Sequence, residues 1–124
     1  MKTIVYLIAG GALGTLCRYG VQVLSVKSFG PSFPIGTLIV NLAGCFLIGL
    51  LFAIAEHKAH INPAMKMFLI TGFLGAFTTF STLGIESMNL AVNVSKTMAI
   101  TNLAVNNIAG VLLVLAGLHI GKSI

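Results

Sequence analysis

Four long stretches of this chain carry no charged side chain: 3–17, 35–55, 67–85 and 97–118. The first resumes after Arg18 and runs uncharged to position 26. Each is close to the ~20 residues a helix needs to cross the hydrocarbon core of a bilayer. Only helices and closed barrels satisfy their own backbone in that solvent, so the pattern reads as four transmembrane helices joined by short loops. With 57% hydrophobic and 7% charged residues, the 124-residue chain has too few polar side chains to cover a water-soluble domain. The expected fold is an all-α membrane protein. It forms one four-helix transmembrane domain over 1–124, with helices at about 3–26, 35–56, 65–91 and 97–120. Lys2 followed by an apolar run has the outline of a signal peptide. However, no small-x-small cleavage site precedes a polar mature region, and Leu16 before Cys17 is a poor lipoprotein processing site.

The net charge is +5, but the basic residues stand singly at helix ends, where they suit anionic lipid headgroups. No nucleic-acid surface is implied. Four crossings put Lys2, Lys58, Lys66 and Lys122 on one side and Lys27 and Lys96 on the other, with Arg18 part-way along helix one. That is a weak positive-inside bias. It is compatible with insertion in both orientations, and hence an antiparallel dimer, and also with one orientation having its N-terminus in the cytoplasm. Cys17 and Cys45 lie inside apolar helices, where free cysteine behaves as a small hydrophobe. His57, His60 and His119 have no metal-site spacing and read as interfacial polar residues. Glycines at 10 and 14, at 117 and 121, and at 44 and 49 offer close helix approach, which drives packing in lipid. One copy is too small to enclose a wide solute path, so an oligomer is expected.

Polar residues at depth need a reason. Arg18 would be disfavoured by about 3 kcal/mol at a helix centre, and reads either as an interfacial anchor or as a paired charge. Asn41 fits an interhelical hydrogen bond or a donor facing an aqueous vestibule. Helix four carries Thr101, Asn102, Asn106 and Asn107, with 102 and 106 on one face. These amides argue for a polar surface turned inward. The most unusual stretch is GFLGAFTTFSTLGIE, 72–86. Gly72 and Gly75 weaken a helix, and Thr78 and Thr79 compete for its backbone hydrogen bonds. A break there would release carbonyls at mid-depth, as transporters use to hold ions. Phe80, Ser81 and Thr82 follow, offering a positive ring edge and hydroxyl donors. With no acid among them, a small anion suits this wall better than a cation.

The segments GGALGTLCRYG (10–20), GTLIVNLAGCFLIG (36–49) and GFLGAFTTFSTLGIE (72–86) resemble the Fluc, or CrcB-type, fluoride channel family over nearly the whole chain. The resemblance implies an antiparallel dual-topology dimer with two narrow pores. It implies passive export of cytoplasmic fluoride across the bacterial plasma (inner) membrane. It also implies a structural sodium ion at the dimer centre, held by backbone carbonyls of Gly75 and Thr78 from both chains. Asn41 matches a vestibule donor, Phe80 the first of two pore phenylalanines, and Ser81 and Thr82 a polar track. Arg18 matches a helix-one arginine and Glu86 a glutamate after the motif. Leu83 stands where the family has its second phenylalanine, and Asn106 and Gly110 stand where relatives often carry other polar residues. A homodimer with Leu83 tolerated is the first expectation. A heterodimer with a paralogue is the second.

Other classes fit less well. A small multidrug transporter needs an acid deep in helix one, and this helix has none. A non-conducting membrane assembly subunit would share the packing glycines but would not need the break, the donors and Phe80 together. No nucleophile–base set suggests an enzyme.

Overall fold

In the computed structural model, the structure describes residues 1–57 and 62–124. The expectations attached to Lys58 and His60 lie outside the described residues. The element order is α1 (Lys2–Phe29), α2 (Ile35–His57), α3 (Pro63–Lys66), a π-helical segment (Met67–Leu74), α4 (Gly75–Phe77), α5 (Phe80–Asn93) and α6 (Lys96–Ser123). All regular structure among the described residues is helical. Four helices are long and apolar enough to cross a membrane: Lys2–Phe29, Ile35–Glu56, Pro63–Asn93 and Lys96–Ser123. The third is interrupted at Thr78 and Thr79.

The helices run past the charge-free stretches, by about two turns where the third crossing continues from 85 to Asn93, and caps mark several of their ends. Gly30 (φ 78°) ends α1, its N–H bonded to the Val26 carbonyl. Asn62 caps α3 by accepting from Ala64 N, and Pro63 fills the first helical position, where a missing N–H is harmless. Ser95 caps α6 by accepting from Thr97 N.

Glycine sets the helix spacing. A Cβ at Gly10 would strike the Phe68 carbonyl, and one at Gly14 the Phe73 carbonyl, so α1 lies directly on the π-helical segment. Across the bundle, Gly49 meets the Val114 carbonyl and Gly117 meets the Phe46 carbonyl, pairing α2 with α6 backbone to backbone. The core is small: Val40, Leu74 and Phe77 are buried, with Val21, Ala43, Leu47 and Phe73 packed around them. The Phe73 and Phe77 rings stack at 5.5 Å. Large apolar side chains such as Ile8, Leu16, Ile108 and Leu112 are exposed along the crossings, as expected where lipid is the solvent.

Candidate functional site

The site begins where the third crossing fails as a helix. Thr78 N–H still reaches back to the Leu74 carbonyl at 3.1 Å, and Thr78 Oγ1 donates to the same oxygen at 3.0 Å. Thr78 (φ −81°, ψ 159°) and Thr79 (φ −154°, ψ 115°) are then extended. The break falls on the threonines and not on the glycines. Gly72 sits within the π-helical segment, where a Cβ would lie 3.1 Å from Gly10 Cα, so its role is close approach to α1. Thr79 restarts the helix as its cap, with Oγ1 accepting from Thr82 N at 3.3 Å.

Extended backbone in lipid must find partners. Asn41 of α2 supplies both for Thr79. Its Oδ1 accepts from Thr79 N at 2.8 Å, and its Nδ2 donates to the Thr79 carbonyl at 3.2 Å. The same Nδ2 donates to Asn106 Oδ1 at 3.0 Å. Asn106 Nδ2 donates to the Asn102 carbonyl and to Asn102 Oδ1, at 2.9 and 3.1 Å. Asn102 Nδ2 donates to Ser87 Oγ at 2.9 Å. Three helices, α2, α5 and α6, are thus tied by one run of amides.

Two cavities flank the break, with Thr79 lining one and Thr82 the other. A groove of about 430 Å³ is lined by Asn41, Thr79, Phe80, Leu83 and Asn106 among others, and none of the lining residues is charged. A second cavity of about 410 Å³ is lined by Gln22, Ser25, Thr37, Thr82, Glu86 and Asn89 among others. The hydroxyls of Thr79 and Thr82, one from each wall, are 2.8 Å apart, and Ser81 Oγ is 3.5 Å from Thr79 Oγ1. In the second cavity Thr37 Oγ1 donates to Glu86 Oε1 at 2.9 Å, while Glu86 Oε2 is buried with no hydrogen-bond partner among the described residues.

Most of the residues singled out in the sequence come together here. Asn41, Phe80, Leu83, Asn106, Gly75 and Thr78 share the groove, and Thr82 and Glu86 share the second cavity. Phe80 is 76% exposed at the first position of α5, whereas Leu83 is only 2% exposed and is mostly packed into the chain. Arg18 is half-buried on α1 and joins neither cavity. Of the helix-four polar residues, Asn102 and Asn106 are buried. Thr101 and Asn107 are exposed, and Asn107 bonds back to the Leu103 carbonyl at 2.7 Å. The sequence reading did not find the pairing of Thr37 with Glu86 or of Ser87 with Asn102.

A family model described as "CrcB-like protein, Camphor Resistance (CrcB)" matches residues 5–118. Similar curated proteins include three named "Fluoride-specific ion channel FluC". That of Maridesulfovibrio salexigens is 41% identical over 124 residues, covering 100% of this chain and 98% of the relative. That of Dehalococcoides mccartyi is 44% identical over 122 residues, covering 98% and 94%. That of Citrifermentans bemidjiense is 39% identical over 124 residues, covering all of both chains.

Proposed function

From the premise that the chain belongs to the CrcB-like family, we propose that it is a fluoride channel, releasing cytoplasmic fluoride passively across the bacterial plasma membrane as an antiparallel dimer. The observation that carries the reading is the break itself: hydrogen-bond donors line it, an uncharged groove lies on one side and a polar cavity on the other. Fluoride is small and strongly hydrated, so a wall that admits it must replace water's hydrogen bonds with its own donors. Ser81 and Thr82 offer hydroxyl donors and the exposed Phe80 offers a positive ring edge, while both protons of Asn41 Nδ2 are held by the Thr79 carbonyl and Asn106 Oδ1, so Asn41 would trade one of these bonds to meet the ion. The absence of an acid on the groove wall keeps that face free of charge that would repel an anion. Passive flow suits the chemistry: neutral hydrogen fluoride enters a cell, dissociates, and leaves an anion that needs an exit.

Dimerisation is supported by what the single chain leaves open. Gly75, Phe80 and Asn107 are exposed beside the half-buried Thr78 on one groove. Exposed polar groups at membrane depth call for a protein neighbour, and a second copy supplies one. Such a copy would also complete a sodium site. Thr78 is extended, so its carbonyl no longer lies along a helix axis, and Gly75 stands on the same wall. Two carbonyls per chain make half a cation shell, and the symmetric pair makes the rest. A bound sodium ion would supply positive charge that fixes the two broken helices against each other.

The reading is tested by fluoride efflux from liposomes holding only this purified chain in sodium buffer, beside Phe80→Ile and Leu83→Phe. Release by the wild type and its loss in Phe80→Ile support a homodimeric channel. A silent wild type that gains flux with Leu83→Phe, or with an added paralogue, makes the chain half of a heterodimer. Silence in every case favours the assembly subunit.

A further inference from the structure

Asn107 leaves its hydrogen bonding half done. Its Nδ2 donates one proton to the Leu103 carbonyl at 2.7 Å. The second proton and the Oδ1 oxygen have no partner among the described residues. The side chain is exposed on the uncharged groove, well inside the fourth crossing. Asn106, one residue earlier, is buried with both ends of its carboxamide bonded. A free N–H and a free C=O are both costly in lipid. Side by side on one carboxamide, they are matched by a second carboxamide.

The depth of Asn107 says where that second carboxamide comes from. Asn41 Nδ2 lies 3.2 Å from the Thr79 carbonyl and 3.0 Å from Asn106 Oδ1. The break and this turn of α6 are therefore at nearly one depth. In the antiparallel dimer read above, the two-fold axis lies in the membrane plane and passes between the two breaks. It runs along the shared face, so a residue of that face at the axis depth meets its own copy, and a residue one turn above meets one from a turn below. Asn107 lines the same groove as Gly75 and Thr78 and is at that depth.

We propose that Asn107 is the self-matching contact of a homodimer: a second antiparallel copy of this chain, seated on the groove, brings its Asn107 against this one, and each carboxamide donates its free N–H to the other's Oδ1. This rests on the dimer reading above and favours a second copy over a paralogue. A paralogue would need a matching group at the same depth, whereas a second copy carries one by symmetry.

The test is Asn107→Cys in a chain that also carries Cys17→Ala and Cys45→Ala, treated in liposomes with a short-bridged bis-methanethiosulfonate and run on a non-reducing gel. Most of the protein is expected to move to the dimer band, and reductant to reverse it. Val111→Cys in the same background is expected to stay monomeric on the gel. Val111 lines the groove one turn further on, so its two copies lie about 12 Å apart along the membrane normal. Coexpressed Leu103→Cys and Val111→Cys chains, which the axis brings together, are expected to bridge to each other. Bridging of Val111→Cys alone, as a parallel pair gives, overturns the inference. So does labelling of Asn107→Cys by a membrane-impermeant maleimide without bridging, which puts the residue on a water-filled wall. If Asn107→Cys protein is not recovered, the coexpressed chains decide: a bridged pair supports the inference and an unbridged pair overturns it. A parent chain that is monomeric by subunit counting in the bilayer overturns the dimer reading, and this inference with it. A dimeric parent with no bridge at position 107 overturns the inference alone.

Discussion

Asn41 grips both backbone groups of Thr79 with a single carboxamide, accepting from the N–H at 2.8 Å and donating to the carbonyl at 3.2 Å. The geometry is that of a strand partner, supplied by a side chain from another helix. It explains how extended backbone persists inside an apolar bundle, where each unsatisfied group would be disfavoured by several kcal/mol. It also ties α2 to the one place where the third crossing opens, between the groove and the second cavity.

Adjacent glycines on α1 should respond oppositely to alanine. Gly10 has the Phe68 carbonyl in the way of a Cβ, whereas Gly11 has nothing within 4 Å. Gly10→Ala is expected to lower the melting temperature of the purified protein in detergent, by forcing α1 off the π-helical segment. Gly11→Ala is expected to leave it unchanged or raise it, since alanine favours a helix over glycine by about 1 kcal/mol. Equal melting temperatures for the two variants would refute this packing of α1.

The Thr37–Glu86 contact should act as a unit in conduction. Thr37 is 1% exposed and donates the one hydrogen bond that Glu86 receives among the described residues. Thr37→Val removes that donor while keeping its shape, and is expected to slow fluoride efflux. Combined with Glu86→Gln, the loss should be less than the product of the two single effects, because the variants break one shared interaction. Independent effects would mean that the second cavity is not organised by this pair.

Leu83 should behave first as a packing residue. At 2% exposure, truncation to alanine leaves a cavity, and buried leucines lose about 2–5 kcal/mol in that change. A lowered melting temperature for Leu83→Ala is the expected result. A wild-type melting temperature would place the side chain loosely in the groove and return weight to a pore role.

Much of the fold was legible because lipid leaves a chain few choices. Charge-free stretches of crossing length must be helices, and residues 72–86 announced an interruption by hydroxyl-rich composition. The location of the break within that stretch was less legible. Gly72 and Thr79 both weaken a helix, and only the contact of Gly72 with Gly10 shows that this glycine serves packing. Helix four shows a related limit. Asn102 and Asn106 share a face and are buried, but Asn107 is rotated about a quarter-turn from Asn106 and faces out. Three neighbouring amides cannot all turn inward. The partners of Asn41 and Glu86 were out of reach altogether. Thr79 is 38 positions from Asn41 and Thr37 is 49 from Glu86, distances over which periodicity carries no information.

The central claim is that the Asn41-held break lies on a fluoride path. The most direct measurement is fluoride and chloride efflux from liposomes containing only this chain, comparing wild type with Asn41→Leu, which keeps the bulk and removes both the donors and the acceptor. The account predicts fluoride release by the wild type that far outruns chloride, and its loss in Asn41→Leu protein that still purifies as one species. Wild-type fluoride release that Asn41→Leu leaves intact, or equal passage of the two anions, would contradict it.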